Sequence, residues 1–259
     1  MFFFSLFIST TILASSNVFD KNIDFKEGVV HYRVSGSEIG TKTLYLKDYG
    51  RYKTIYTNTK SKFMRGQKTI HKITYITPKY NYEVDLKNNT ATKLPNLKYL
   101  LQKKLLKLPS REREIVVKNF KKLKDRSILN LKGLFYPKAK NILGYVCNRE
   151  SIKGITTYTA KNSDLVLETK ANILGFNSNS SATKIEKKQL DSKIFEINKK
   201  LTISPTPQKV RELEKKAEEI ISYLQNPDIE KTKTHQIPIT QKEDFQNIIQ
   251  ESIKALEAL

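Results

Sequence analysis

The stretch VVHYRVSGSEIGTKTLYLKDYGRY, Val29 to Tyr52, decides the fold. In it Val30, Tyr32 and Val34 alternate with Val29, His31 and Arg33, and Leu44 and Leu46 alternate with Thr43 and Tyr45. A period of two sends successive side chains to opposite sides of an extended strand, so both runs read as strands with one face on a core. Between them, Ser35 to Thr41 holds Gly36 and Gly40, the residue type that reaches backbone angles closed to others, as a hairpin loop requires. Lys47 to Gly50 is the next turn. The same pattern continues outward through Arg51 to Asn58, Thr69 to Thr77, Lys79 to Leu86 and Thr90 to Leu94, broken at Pro78 and at Asn88-Asn89. Short strands joined by short turns predict an antiparallel meander.

The period then changes. Leu97, Leu101, Leu105 and Leu108 fall on one face of a helix, and Pro109-Ser110 interrupts it. Ser110 is placed to cap a second helix whose apolar face is Val116, Phe120 and Leu123. Between Lys98 and Lys132 there are 12 Lys/Arg and 3 Asp/Glu, so this helical insertion, at about 97–126, is the basic centre of the chain.

After Gly133 the strand pattern returns, in Ile142 to Ser151, Gly154 to Ala160, Asp164 to Ala171, Ala182 to Gln189 and Lys193 to Ile197, with Asn177 to Ser181 expected as a polar loop. Pro205 and Pro207 close the region. Thr206 is placed as an N-cap with Pro207 at the first helical position, and Val210, Leu213, Ala217, Ile220, Ile221 and Leu224 form one apolar side up to Asn226-Pro227. A polar linker, Asp228 to Ile239, leads to a last helix announced by the capping-box spacing Thr240 to Glu243 and carrying Phe245, Ile248, Ile249 and Leu256. The expected class is therefore mainly β with helices (α+β): a curved antiparallel sheet, or half-open β-barrel, over 17–204 with a helical lid insertion, followed by a helical extension over 205–259.

The 259 residues carry 47 Lys/Arg against 26 Asp/Glu, a formal charge of +21 that points to an anionic neighbour, although a Lys-, Asn- and Ile-rich genome produces the same excess without selection for it. The charge is uneven: from Pro205 on there are 8 Lys/Arg and 10 Asp/Glu, a net of −2. Phe2 to Ala14 is an uncharged apolar run followed by Ser15 and Ser16. It reads as a secretory signal peptide over 1–16 with cleavage after Ser16, although no Lys or Arg precedes the run. Export to the periplasm is expected.

Beyond these patterns the chain resembles a family. Val29 to Tyr52, then ILGYVCNRES (Ile142 to Ser151), DLVLETKANILG (Asp164 to Gly175) and SATKIEKKQLDSKIFEI (Ser181 to Ile197), is similar to the LolA/LolB-like superfamily of exported bacterial envelope proteins, the periplasmic lipoprotein carriers. The resemblance covers about two-thirds of the chain and departs from it after Pro205. It implies a half-barrel that shelters acyl chains, a lipid-binding role of the outer-membrane lipoprotein-sorting kind. On that reading Leu97, Leu101, Leu105, Leu108, Val116 and Phe120 are candidates to contact an apolar or amphiphilic ligand such as a lipid or lipoprotein acyl chain. Lys103, Lys104, Lys107, Lys121 and Lys122 are candidates to meet an anionic membrane surface, or else simply keep a Leu-faced helix soluble. The alternative is an envelope adaptor that grips a protein partner through 206–259. Export disfavours nucleic acid.

Catalytic and metal signatures are sparse. His31, His71 and His235 are scattered, and the single Cys147 rules out a Cys-pair zinc site, so neither a metal nor another cofactor is expected. Gly36 to Thr43 superficially looks like a phosphate loop, but it has three residues between its glycines and leads into a strand, without the helix N-terminus that binds anions. No Gly-x-Ser-x-Gly elbow is present. Cys147 lies in an alternating strand and is expected as a buried thiol, with intermolecular pairing and catalysis as lesser alternatives. A non-enzymatic binding role is the expectation.

Overall fold

The computed structural model describes residues 17–61, 68–123, 126–127, 133–198 and 200–226. The expected leader, linker and last helix lie outside them. One open sheet of 12 strands dominates, in the order β12-β6-β5-β4-β3-β2-β1-β11-β10-β9-β8-β7. The first half comprises β1 (Gly28–Gly36), β2 (Glu38–Lys47), β3 (Tyr52–Ser61), β4 (Lys68–Ile76), β5 (Tyr80–Asp85) and β6 (Thr90–Pro95). Then come α1 (Leu97–Leu105) and α2 (Ser110–Lys122), followed by β7 (Leu134–Ile142), β8 (Tyr145–Ile152), β9 (Ile155–Ala160), β10 (Val166–Ile173), β11 (Phe176–Lys187), β12 (Thr202–Ser204) and α3 (Pro207–Gln225). Every pairing is antiparallel except β12 with β6. Twisted strands in this number cannot stay flat, and the sheet curves without closing, as a half-open barrel with helices.

Several expected boundaries shift: of the loop expected over Ser35 to Thr41 only Ser37 lies outside β1 and β2, and the strand expected over Ile142 to Ser151 is divided by the Leu143-Gly144 turn between β7 and β8. Asn177 to Ser181 is no loop: it forms part of β11, because both neighbours, β1 and β10, supply ladder partners and override its polar composition. Lys193 to Ile197 is no strand: Ser192–Phe195 is a 3-10 turn, fixed by the Asp191 side chain accepting from the Lys193 amide at 2.9 Å. The unforeseen β7 bonds only to β8, and its ladder breaks between Tyr136 and Lys140, around Pro137 and a Lys138 with φ of 50°. Proline is tolerated there because an edge strand has amides that need no partner. Ser110 starts α2 and Pro109 takes the cap position, with no side-chain cap; Thr206 does stand at the α3 cap position, also without a cap bond.

The helices build a core of their own. Leu97, Leu100, Leu101 and Leu105 of α1 pack with Val116, Phe120 and Leu123 from α2 and its end, with Ala217, Ile220, Ile221 and Leu224 of α3, and with Phe19. Phe19 meets Phe120 edge-on, ring centres 5.0 Å apart. The buried Asn119 amide donates to the carbonyls of Leu224 (2.8 Å) and Asn226 (3.0 Å), satisfying the acceptors that the end of α3 leaves open. On one sheet face Val30, Leu44, Leu46, Leu167 and Ala182 pack under Ile23 and Phe25. On the other, the strap after β11 crosses β3, where the Thr54 hydroxyl donates to the Ile194 carbonyl at 3.1 Å. Ile197 and Leu201 then cover Ile73, Tyr75, Val84 and Ala91.

Leu101 is fully buried and Leu106 is 56% exposed, little more than one helical turn apart. Leu101→Ala is expected to cost about 2–5 kcal/mol and Leu106→Ala less than about 0.5 kcal/mol in denaturant unfolding; equal losses would mean that the three helices do not form one packed core.

Candidate functional site

The ladder sorts side chains into rows. On the face that carries Val30, the row nearest the helices is Gly28, Leu46, Lys53 and Ile76, followed by Ile185, Val30, Leu44 and Ile55. The next row is Tyr32, Lys42, Thr57 and Lys72, and the one after it Val34, Gly40 and Thr59. That last row continues from Val34 into the second half of the sheet through Ser180, Thr169, Thr157 and Glu150. The helices join on this same face. Lys98 of α1 is ion-paired with Asp164 and lies 3.5 Å from Asp20. The charges of these three groups act on Lys53, whose pKa is lowered first by burial, with the carboxylates opposing.

Toward the helices the face is thus apolar apart from Lys53 and closed over by Ile23 and Phe25, and one row further it becomes a band of hydroxyls around Lys42. Thr57 and Thr59 are buried, and the Thr59 hydroxyl donates to the Glu38 carboxylate. The Tyr32 hydroxyl donates to the Val166 carbonyl at 2.8 Å, and burial pushes its pKa well up. Lys72 reaches Glu83 at 3.3 Å. Lys42 has no such settlement: among the described residues no hydrogen bond or ion pair reaches its ammonium. Burial lowers its pKa, Glu38 opposes the shift and Lys72 adds to it. Lys42 is partly buried, so its ammonium loses some of its hydration, and an anionic group placed beside it, within reach of threonine hydroxyls, would supply the charged hydrogen bond it lacks.

A second polar cluster shows the contrast. Glu168, buried in β10, accepts from Lys140 at 2.7 Å and from the Ser181 hydroxyl at 3.2 Å, with Lys140 lying 5.2 Å from the Tyr158 ring centre. Burial would raise its pKa, but these bonds and the lysine charges bring it below the ordinary value. Nothing there awaits a ligand.

The residues singled out from sequence lie elsewhere. Leu97, Leu101, Leu105, Val116 and Phe120 are buried in the helical core and Leu108 packs against it, so their apolar face meets α3 and Phe19. Lys104 pairs with Glu218 at 2.7 Å, and Lys103 and Lys107 are exposed. Lys121 and Lys122 line a surface groove of about 640 Å³ with Arg113, Glu114, Val117 and Lys118. Cys147 is buried as expected, its thiol donating to the Tyr145 carbonyl at 3.4 Å and burial pushing its pKa up. Lys42 had a signal that passed unused: it stands in phase with Leu44 and Leu46, a lysine written at a core-face position.

No family model and no curated protein matches the chain. Among solved structures it is similar to an uncharacterised conserved protein from Thermus thermophilus, with a TM-score of 0.40 and 9% identity over 69% of this chain and 90% of the other. It is also similar to PNGF-II (0.34, 15%, 74% of this chain and 33% of that one) and to LprF from Mycobacterium bovis (0.26, 10%, 63% and 88%). At such scores and identities none of these bears on function.

Because the folded pKa of Lys42 lies below its unfolded value, its protonation opposes folding at neutral pH. That penalty fades as pH climbs from the lowered value into the ordinary lysine range. Lys42→Met is expected to raise Tm at neutral pH, with the gain shrinking toward alkaline pH; thermal melts across that range measure it, and a gain that does not change with pH would refute a lowered Lys42 pKa.

Proposed function

We propose that this protein is an exported, non-catalytic carrier of an amphiphilic envelope ligand, whose anionic group is held by Lys42 on the open half-barrel. The observation that carries this reading is the partly buried Lys42, whose ammonium has no hydrogen bond or ion pair among the described residues, set among Thr57, Thr59 and Tyr32 and bordered by the apolar rows of Val30 and Leu44. A charged head and an apolar body match those two zones, and the formal charge of +21 draws anions toward the surface. Placement in the periplasm rests on the apolar leader, and a relation to the LolA/LolB-like carriers rests on the strand–helix–strand order and the open sheet. Of the segment 206–259 that the adaptor alternative uses, α3 spends its apolar face on α1 and α2, and the part after Asn226 lies outside the described residues.

Two measurements test the proposal. Protein purified without detergent is expected to release a lipid or fatty acid in mass spectrometry. With cis-parinaric acid, a fluorescent fatty acid, Lys42→Met is expected to weaken binding by roughly 10- to 100-fold, the range of a charged hydrogen bond, while the methyl ester binds both proteins alike. Equal affinity of the acid for both proteins would end the assignment.

A further inference from the structure

The end of the sheet opposite the helices carries an apolar rim. Three hairpin turns meet there: Ser37 between β1 and β2, Lys153-Gly154 between β8 and β9, and Leu174-Gly175 between β10 and β11. They are bonded to one another. The Ser37 amide donates to the Asn177 carbonyl and the Asn172 amide to the Gly154 carbonyl at 2.9 Å, while within their own hairpins Ile152 pairs with Ile155 and Ile173 with Phe176. The result is a row of large apolar residues on the Val30 face, Ile152, Ile155, Ile173 and Phe176, with Leu174 at the tip of its turn; Ile39, next to Gly40, lies on the opposite face. Ile39, Ile155 and Leu174 are 38%, 36% and 47% exposed.

Leu174 is the most informative. It occupies the first position of a two-residue turn at φ 50°, followed by Gly175 at φ 82°. Asn, Asp and Gly adopt that conformation readily and are soluble at a turn tip; leucine is disfavoured on both counts. Leu143 shares the geometry at the other end of the sheet, but its neighbouring turn is Lys161 to Asp164, all polar, so it stands as a single exposed leucine. Among the described turns, the tips that cluster are those at the rim. Neither Ser151 to Ile155 nor Ile173 to Phe176 contains an acidic residue and Lys153 is exposed in the first of them, while in the third turn Glu38 follows Ser37 and is engaged by the Thr59 hydroxyl. Apolar tips beside an exposed lysine complement an anionic lipid surface.

We infer that this rim docks on an anionic bilayer, inserting Leu174 and Ile155 at the headgroup boundary with the hydroxyl band of Thr157, Thr169 and Ser180 just behind. The rim stands independently of what Lys42 holds. It also assigns the membrane contact to the end away from the α1 and α2 lysines.

Flotation of the full chain with vesicles of phosphatidylethanolamine and phosphatidylglycerol tests it. Leu174→Asn suits the turn, so folding is retained and Tm holds or rises. Its binding is expected to fall by about tenfold or more, the worth of one buried leucine, and Ile155→Asp should fall further. Lys42→Met should float as the parent does, which keeps this test separate from the fatty-acid experiment. The inference is overturned if Leu174→Asn binds like the parent, if the parent fails to float, or if only Lys118→Glu with Lys121→Glu abolishes binding.

Discussion

β1 bonds to β2 on one side and β11 on the other, and this double ladder joins the two halves of the sheet. Its register decides which residues face the helices. With Val30 opposite both Leu44 and Ile185, the aliphatic rows coincide across three strands and close under Ile23 and Phe25. A slip of one residue would send every one of them to the other side, so burial of this patch and the pairing enforce each other. The same register puts Lys42 beside Tyr32 and Thr57, and the irregularity between His31 and Tyr32 marks where the second half departs from strict alternation.

Two faces of so large a sheet need cover, and the chain supplies it unevenly. The strap after β11 roofs part of one face, while the helices join the other through the Lys98, Asp20 and Asp164 ion pairs and keep their own apolar core. Beyond the rows under Ile23 and Phe25 lies the hydroxyl band, and past that the apolar rim. Along one face the molecule therefore grades from packed core to polar band to apolar tips.

The helices show why an apolar stripe is not in itself a binding surface. Leu97, Leu101, Leu105, Val116 and Phe120 have the spacing of a lid, and α3 has a matching stripe of Ala217, Ile220, Ile221 and Leu224. The two sets are separated by the whole second half of the sheet, so nothing local tells that they meet. Lys42 illustrates the converse. Its phase with Leu44 and Leu46 was legible, but its lack of a partner depends on Glu38 engaging Thr59 and on Lys72 engaging Glu83.

The sequence by itself determined the alternation of strands, the helical insertion after Pro95, the cap position of α3 and the burial of Cys147, because each is a local matter of side-chain period, turn chemistry or apolarity. It misread Asn177 to Ser181, Lys193 to Ile197 and the edge strand with Pro137, where neighbours or their absence outweigh local preference. Only the tertiary structure decided which faces are spent on one another, that Lys42 is left without a hydrogen bond or ion pair among the described residues, and which turns gather at one rim. Those depend on residues far apart in the chain being brought together by ladder register, and a pattern of period two or 3.6 carries no record of its partner.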